Sequence, residues 1–147
     1  MTRRYYKLPG GSPVPARFSD ERRVTARTPL AEGDVVHIGD TVEVELTIAS
    51  DVFHEFLAFE DPKPAGFEPV ELTSGGAWGD NLCADVELRD QDVVFFAGTF
   101  MPGSHKIKYR LRAEVPGTFQ VRPTRAFDMY NPEIDAHGAT LRLRVVD

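Results

Sequence analysis

The sequence predicts an all-β fold, an antiparallel two-sheet β-sandwich of immunoglobulin-like type, and three observations carry that expectation. First, Thr41 to Ala49 and Lys106 to Ala113 alternate apolar and polar residues with a period of two, which puts one face of each strand in a core and the other in water. Second, no segment holds a helical stripe over the roughly 10 to 12 residues a helix needs. The nearest, Thr124 to Tyr130, is stopped by Asn131-Pro132. Third, seven to nine short strand-like runs are separated by Gly/Pro turns, the spacing of a two-layer sandwich. The Cys-Trp-Cys signature of antibody domains is absent, so only the architecture is implied.

Taken in order, residues 1–33 read as an N-terminal extended segment that either joins the sandwich or leads into it. Within it Arg3 to Leu8 reads equally well as a first strand or a linker, Gly10 to Pro15 breaks regular structure, and Arg17 to Arg27 is charged and weakly patterned. Residues 34–147 form the sandwich proper, one domain overall. Val35 to Ile38 is a short strand, and Gly39-Asp40 turns it into Thr41 to Ala49. There Val42, Val44, Leu46 and Ile48 face the core while Thr41, Glu43, Glu45 and Thr47 face water. Phe53 to Phe59 is a buried strand that leaves through a rigid loop, Glu60 to Pro69, whose three prolines fix φ and remove backbone donors. Ser74 to Asp80 is Gly-rich and flexible. Cys83 to Arg89 alternates again, with Ala84, Val86 and Leu88 toward the core.

Val93 to Thr99, turned by Phe100 to His105 into Lys106 to Ala113, reads as a β-hairpin on which the rest is organised. Its second arm turns Ile107, Tyr109, Leu111 and Ala113 inward and Lys106, Lys108, Arg110 and Arg112 outward. A hairpin alone is marginal, so further strands must cover its apolar face. Phe119 to Val121 follows a Pro-Gly turn, Arg122 to Ala139 is a long loop, and Leu141 to Val145 closes the domain.

At 147 residues the chain is large enough to bury a core without metals or disulfides. With 17 Lys+Arg against 23 Asp+Glu it carries a net charge of −6 and no basic block, which argues against nucleic acid or anionic membrane as partners. The single Cys83 makes no internal disulfide and leaves the compartment open. No apolar run approaches the roughly 20 residues of a spanning helix, and Met1 to Tyr6 lacks the apolar core of a signal peptide. An exported chain of this kind would have to be cut from something longer.

Catalytic chemistry has no footing in these residues. His37, His54, His105 and His137 are scattered without zinc-site spacing and read as surface histidines. Cys83, between Leu82 and Ala84, reads as a small packing residue. Glu60, Asp61, Asp90 and Asp92 lack the dense oxygen spacing of a calcium loop and read as solvated turns. No Ser-His-Asp set, nucleophile elbow or phosphate loop is present. The expectation is a non-enzyme with no cofactor and no metal.

One loop stands apart. Arg122 to Glu133 carries Phe127, Met129 and Tyr130 where a plain solvated loop would be small and polar, and long loops on β scaffolds are frequently functional. Two readings stay open: Phe127 and Met129 tuck back as a lid on the sandwich edge, or the tyrosine presents its ring and hydroxyl to a neighbouring domain.

Asp61-Pro62-Lys63-Pro64-Ala65-Gly66-Phe67-Glu68-Pro69-Val70, Val93-Val94-Phe95-Phe96, Lys108 to Phe119 and Met129-Tyr130-Asn131-Pro132-Glu133, in that order and spacing, resemble the C-terminal domain of bacterial alpha-2-macroglobulin family proteins. The resemblance covers Asp34 to Asp147. It implies a macroglobulin-like β-sandwich at the end of a very large exported protease inhibitor, periplasmic or cell-surface anchored. Other parts of such a protein hold a bait region and often a Cys-Gln thioester; Cys83 lies in no Cys-Gly-Glu-Gln motif and is not that cysteine. By the same resemblance the loop Met129 to Glu133 packs against the thioester domain in members that have one, and is an interdomain contact in those that lack it. That makes Tyr130 the first functional residue, with Met129, Asn131, Glu133 and Phe127 beside it. The partners implied are other domains of the same polypeptide and, indirectly, proteases, the isolated domain being monomeric. The competing expectation is a free-standing sandwich that binds carbohydrate or a cell-surface protein, with Trp78 as its stacking aromatic.

Overall fold

A computed structural model describes residues 1–10, 26–70, 75–79 and 82–147. The expectations for Gly10 to Pro15, Arg17 to Arg27 and Ser74 to Asp80 fall wholly or partly outside those residues. In chain order the strands are β1 (Thr2–Lys7), β2 (Thr28–Leu30), β3 (Val35–His37), β4 (Thr41–Ser50), β5 (His54–Pro62), β6 (Phe67–Pro69) and β7 (Gly75–Gly79). They continue with β8 (Leu82–Leu88), β9 (Asp92–Phe100), β10 (Gly103–Ala113), β11 (Gly117–Val121), β12 (Arg125–Asp128), β13 (Asp135–His137) and β14 (Leu141–Val146). No helix occurs among the described residues.

Hydrogen bonding groups them into a five-stranded sheet β2-β1-β4-β10-β6, a six-stranded sheet β13-β12-β5-β9-β8-β7 and a three-stranded sheet β11-β14-β3. Every pair is antiparallel except β14 with β3. The fold is the all-β sandwich expected, with a small third sheet added. Val42, Val44, Leu46, Tyr109 and Leu111 of the first large sheet meet Leu57, Phe59, Val93 and Phe95 of the second in one core, to which Val36, Val121, Leu143 and Val145 add from the third sheet. Across the layers the Phe95 and Tyr109 rings lie 5.7 Å apart.

Four expectations change. The organising hairpin is an arch: β9 pairs with β5 and β8, whereas β10 pairs with β4 and β6, so its arms sit in opposite sheets. Phe100 is fully buried at the crossing, and Pro102 has no N–H to close a two-stranded ladder there. Glu45 does not face water. It is 3% exposed because β4 is central and the long side chains of Arg27 and Lys106 lie over it, at 3.1 and 3.5 Å. Burial works to raise the Glu45 carboxyl, but the Arg27 hydrogen bond and the charges of Lys106 and Arg27 hold it below its ordinary value.

The third change is in the proline-rich loop. β5 runs on through Glu60, Asp61 and Pro62, with Pro62 opposite Asp92 at the strand's last position, where a missing N–H is tolerated. Leu57, Phe59 and Asp61 therefore share the inward row. The fourth is in the long loop from Arg122 to Ala139, where β12 adds to β5 and β13 adds to β12. The N-terminal residues belong to the sandwich as well: β1 pairs with β4 from Thr2 to Lys7, and Tyr5 is 1% exposed.

Asp61 sits at the centre of a buried polar network. Arg3 Nη1 donates to Asp61 Oδ1 at 2.7 Å, with both side chains almost fully buried, and Thr124 Oγ1 donates to the same oxygen at 2.7 Å. The Tyr109 hydroxyl donates to Asp61 Oδ2. Burial first, then the Asp61 charge, pushes the Tyr109 phenol well above its ordinary value, and the same two causes raise Tyr5. A raised phenol contributes stability that is fully present below the unfolded value of about 10 and is lost as pH rises above it, because the unfolded chain then gives up protons the folded chain keeps. Denaturant titrations should show stability nearly level below about pH 9 and falling through about pH 10, with a slope that approaches about 1.4 kcal/mol per pH unit for each of the two tyrosines beyond about pH 11. A flat profile would mean that neither phenol is held neutral.

Candidate interdomain docking site

The six-stranded sheet carries the candidate site at the end where β5 begins and β12 ends. Beyond β12 the chain folds on its own polar groups. Asp128 Oδ1 accepts from the backbone N–H of Tyr130 at 2.8 Å and of Asn131 at 2.9 Å, and Asn131 Oδ1 accepts from Glu133 N–H at 3.3 Å. Asp128 N–H donates to Ile134 C=O at 3.1 Å, and Met129 N–H donates to Phe56 C=O at 2.9 Å. Side chains of Asp and Asn that bond the backbone two or three residues on are what hold such turns in one shape.

The ring this loop presents is Tyr130, 76% exposed. It stands edge-on to Phe56, with centroids 5.1 Å apart and planes at 83°. Phe56 is itself half exposed and has φ of +56°, a region that non-glycine residues rarely adopt. The β5–β9 ladder skips it, running from Glu55 opposite Thr99 to Leu57 opposite Ala97. Past that point β5 leaves the core's inward row, and Glu55 is exposed rather than buried. Phe53, His54, Glu55, Phe56, Asp128, Tyr130, Asn131 and Ile134 line an open cleft of about 470 Å³. Val52, Phe53, Met101 and Met129 are also exposed, and the strand register places them at this same end, where His54 pairs with Phe100 and Gly103 with Ser50.

Of the residues expected to act, Tyr130 and Asn131 line the cleft. Met129 and Glu133 are exposed on the same loop. Phe127 is set apart, half-buried on β12 with the Arg125 guanidinium 4.4 Å from its ring centroid. Sequence reasoning missed Phe53, Phe56, Asp128 and Ile134. The only signal for Phe56 was its place out of phase with the buried row of Leu57 and Phe59; Phe53 is in phase with that row and gave none. Three other assignments change: Cys83 is exposed on the outer face of β8, Asp61 is fully buried, and His105 is 6% exposed. The His105 ring lies edge-on to Phe100 at 4.6 Å, with Nε2 2.8 Å from Met101 C=O. Trp78, which the carbohydrate reading relies on, has a side chain outside the described residues. Among those residues no group of three or more His, Cys, Asp and Glu side chains is placed to hold a metal ion.

The model of the bacterial alpha-2-macroglobulin MG10 domain matches residues 1–133. The chain belongs to that family. The match takes in β1, which the resemblance read from the sequence left out. Three solved structures are similar to this MG10 domain. Salmonella alpha-2-macroglobulin reacted with methylamine superposes with a TM-score of 0.71 at 21% identity, over 99% of this chain and 9% of that one. Trypsin-activated Escherichia coli alpha-2-macroglobulin gives 0.65 at 19%, over 97% and 10%. Native E. coli alpha-2-macroglobulin from domain MG7 to the C-terminus gives 0.64 at 20%, over 97% and 23%. The MG10 domain therefore spans less than a quarter of each of these chains. None of the curated proteins matches it.

Proposed function

We propose that this MG10 domain is the C-terminal, non-enzymatic interaction domain of an extracytoplasmic alpha-2-macroglobulin-like protease inhibitor. In this reading the end of the sandwich carrying Tyr130 docks against a thioester-bearing or other neighbouring domain of the same polypeptide. The observation that supports it most is an exposed tyrosine ring on a loop tied down by Asp128, Asn131 and Phe56. A ring held in place before contact loses little freedom on docking, and an amphipathic aromatic suits an interface with one apolar and one wet side. Phe53, Met129 and Asn131 would surround it.

Replacing Tyr130 by alanine should leave the melting temperature of this chain within a few degrees, since the side chain covers no core. In the full-length protein the same change should loosen the docked domain and raise the reactivity of a thioester toward methylamine before any protease is added. Tyr130→Phe should reproduce much of that gain where the hydroxyl bonds across the interface, a contact of roughly 1 kcal/mol. A large loss of stability in the chain alone for Tyr130→Ala would show that the loop serves its own sandwich, and the docking reading would fall.

A further inference from the structure

We infer that Arg3 is a positioning residue that clasps the base of the hairpin carrying the Tyr130 loop; the inference rests on the docking reading for its purpose, not for its geometry. The β12–β13 hairpin, at the edge of the six-stranded sheet, is entered after Arg122 and left before Ala139. Arg3 Nη2 donates to both of those carbonyls, at 2.7 Å to Arg122 and 3.2 Å to Ala139. Its Nη1 meanwhile donates to Asp61 Oδ1 at 2.7 Å and reaches Pro62 C=O at 3.5 Å. One planar guanidinium thus joins the two ends of the excursion to each other and to β5. Only a fork of fixed geometry can do this; an ammonium is a single point of charge.

The other ties of the hairpin to the sandwich are short: Met129 N–H on Phe56 C=O, an exposed Arg122–Asp92 ion pair at 3.2 Å and the β12 ladder. β13 is three residues long, wholly exposed, and pairs only with β12. β12 meets β5 through four residues, Leu57 to Glu60. Thr124 helps at the same place, its hydroxyl on Asp61 and its carbonyl accepting from Gly138 N–H at 2.8 Å. Edge elements with short ladders and little buried area open locally at low cost. Because Arg3 stands on β1, in the facing sheet, the clasp also links the first strand of the domain to the base of the hairpin, at the end opposite the Tyr130 loop. The Arg3 side chain is 2% exposed, although the two hairpin carbonyls it holds belong to exposed residues.

Arg3→Lys tests this, because lysine keeps the charge opposite Asp61 and loses the fork. In native-state hydrogen exchange on the 147-residue chain, the amides of β12 and β13 should exchange about tenfold or more faster. Those of β8 and β9 should be unchanged. The nuclear Overhauser contact between the Phe56 and Tyr130 rings should weaken. The double variant Arg3→Met, Asp61→Asn removes both charges together, guards against misfolding of the single variant, and should give the same selective pattern. Unchanged exchange in β12 and β13, or equal acceleration in every strand, would overturn the inference. Both readouts need no partner, so they judge the clasp separately from the Tyr130→Ala test of docking.

Discussion

Asp61→Ala is expected to destabilise the fold by about 3–5 kcal/mol, the loss that follows when one partner of a buried ion pair is removed and the other charge stays behind. The carboxylate accepts from Arg3, Thr124 and Tyr109 at once, and Asp61 is 0% exposed. Alanine leaves the guanidinium in a dry site with only main-chain carbonyls around it, and orphans two hydroxyls whose desolvation is no longer repaid by a bond. Asp61→Asn should cost less, since the amide oxygen still accepts, yet it cannot neutralise Arg3. Set against a total of about 5–15 kcal/mol for a typical domain, the alanine variant should lose at least about a fifth of its stability. Urea titrations of the three proteins measure it. A loss under about 1 kcal/mol for alanine would mean that water already shares the site.

The same residue explains what the sequence let one read and what it hid. Strand facing was legible wherever a strand has a solvated side: Val42, Val44, Leu46, Ile107, Tyr109 and Leu111 are all buried as the period of two required. Partnership was not. Alternation states which face is covered but not which strand lies alongside, so the arms of β9 and β10 looked like neighbours when they belong to facing sheets. Asp61 was hidden by its prolines, which signal a loop, although its parity with Leu57 and Phe59 marks it as inward. Glu45 was hidden because an acidic residue on a central strand is covered by neighbouring cations that alternation does not register. At the docking end the composition of Met129 to Glu133 pointed to Tyr130, whereas Phe56 depends on a left-handed residue inside β5, for which a Phe in an apolar run gives no local cue.

The facing of β10 makes the second large prediction. Leu111 is 0% exposed and lies opposite Val42 on one side and Pro69 on the other, in the layer that meets Phe59 and Phe95. Truncation to alanine removes buried methyl groups and leaves a cavity that rigid sheets on both sides cannot close, so Leu111→Ala should cost about 2–5 kcal/mol. Three residues back on the same strand, Lys108 is opposite Glu45 and exposed. An exposed surface charge contributes roughly 0–1 kcal/mol, so Lys108→Ala should shift the denaturation midpoint little. The contrast between the two is the measurement, because both substitutions leave the β10 backbone and its ladder to β4 in place and differ only in the face they alter. Equal losses would place β10 with both faces covered, as β9 is. A larger loss at Lys108 would reverse the strand, and with it the inward position of Tyr109 on which the Asp61 network depends.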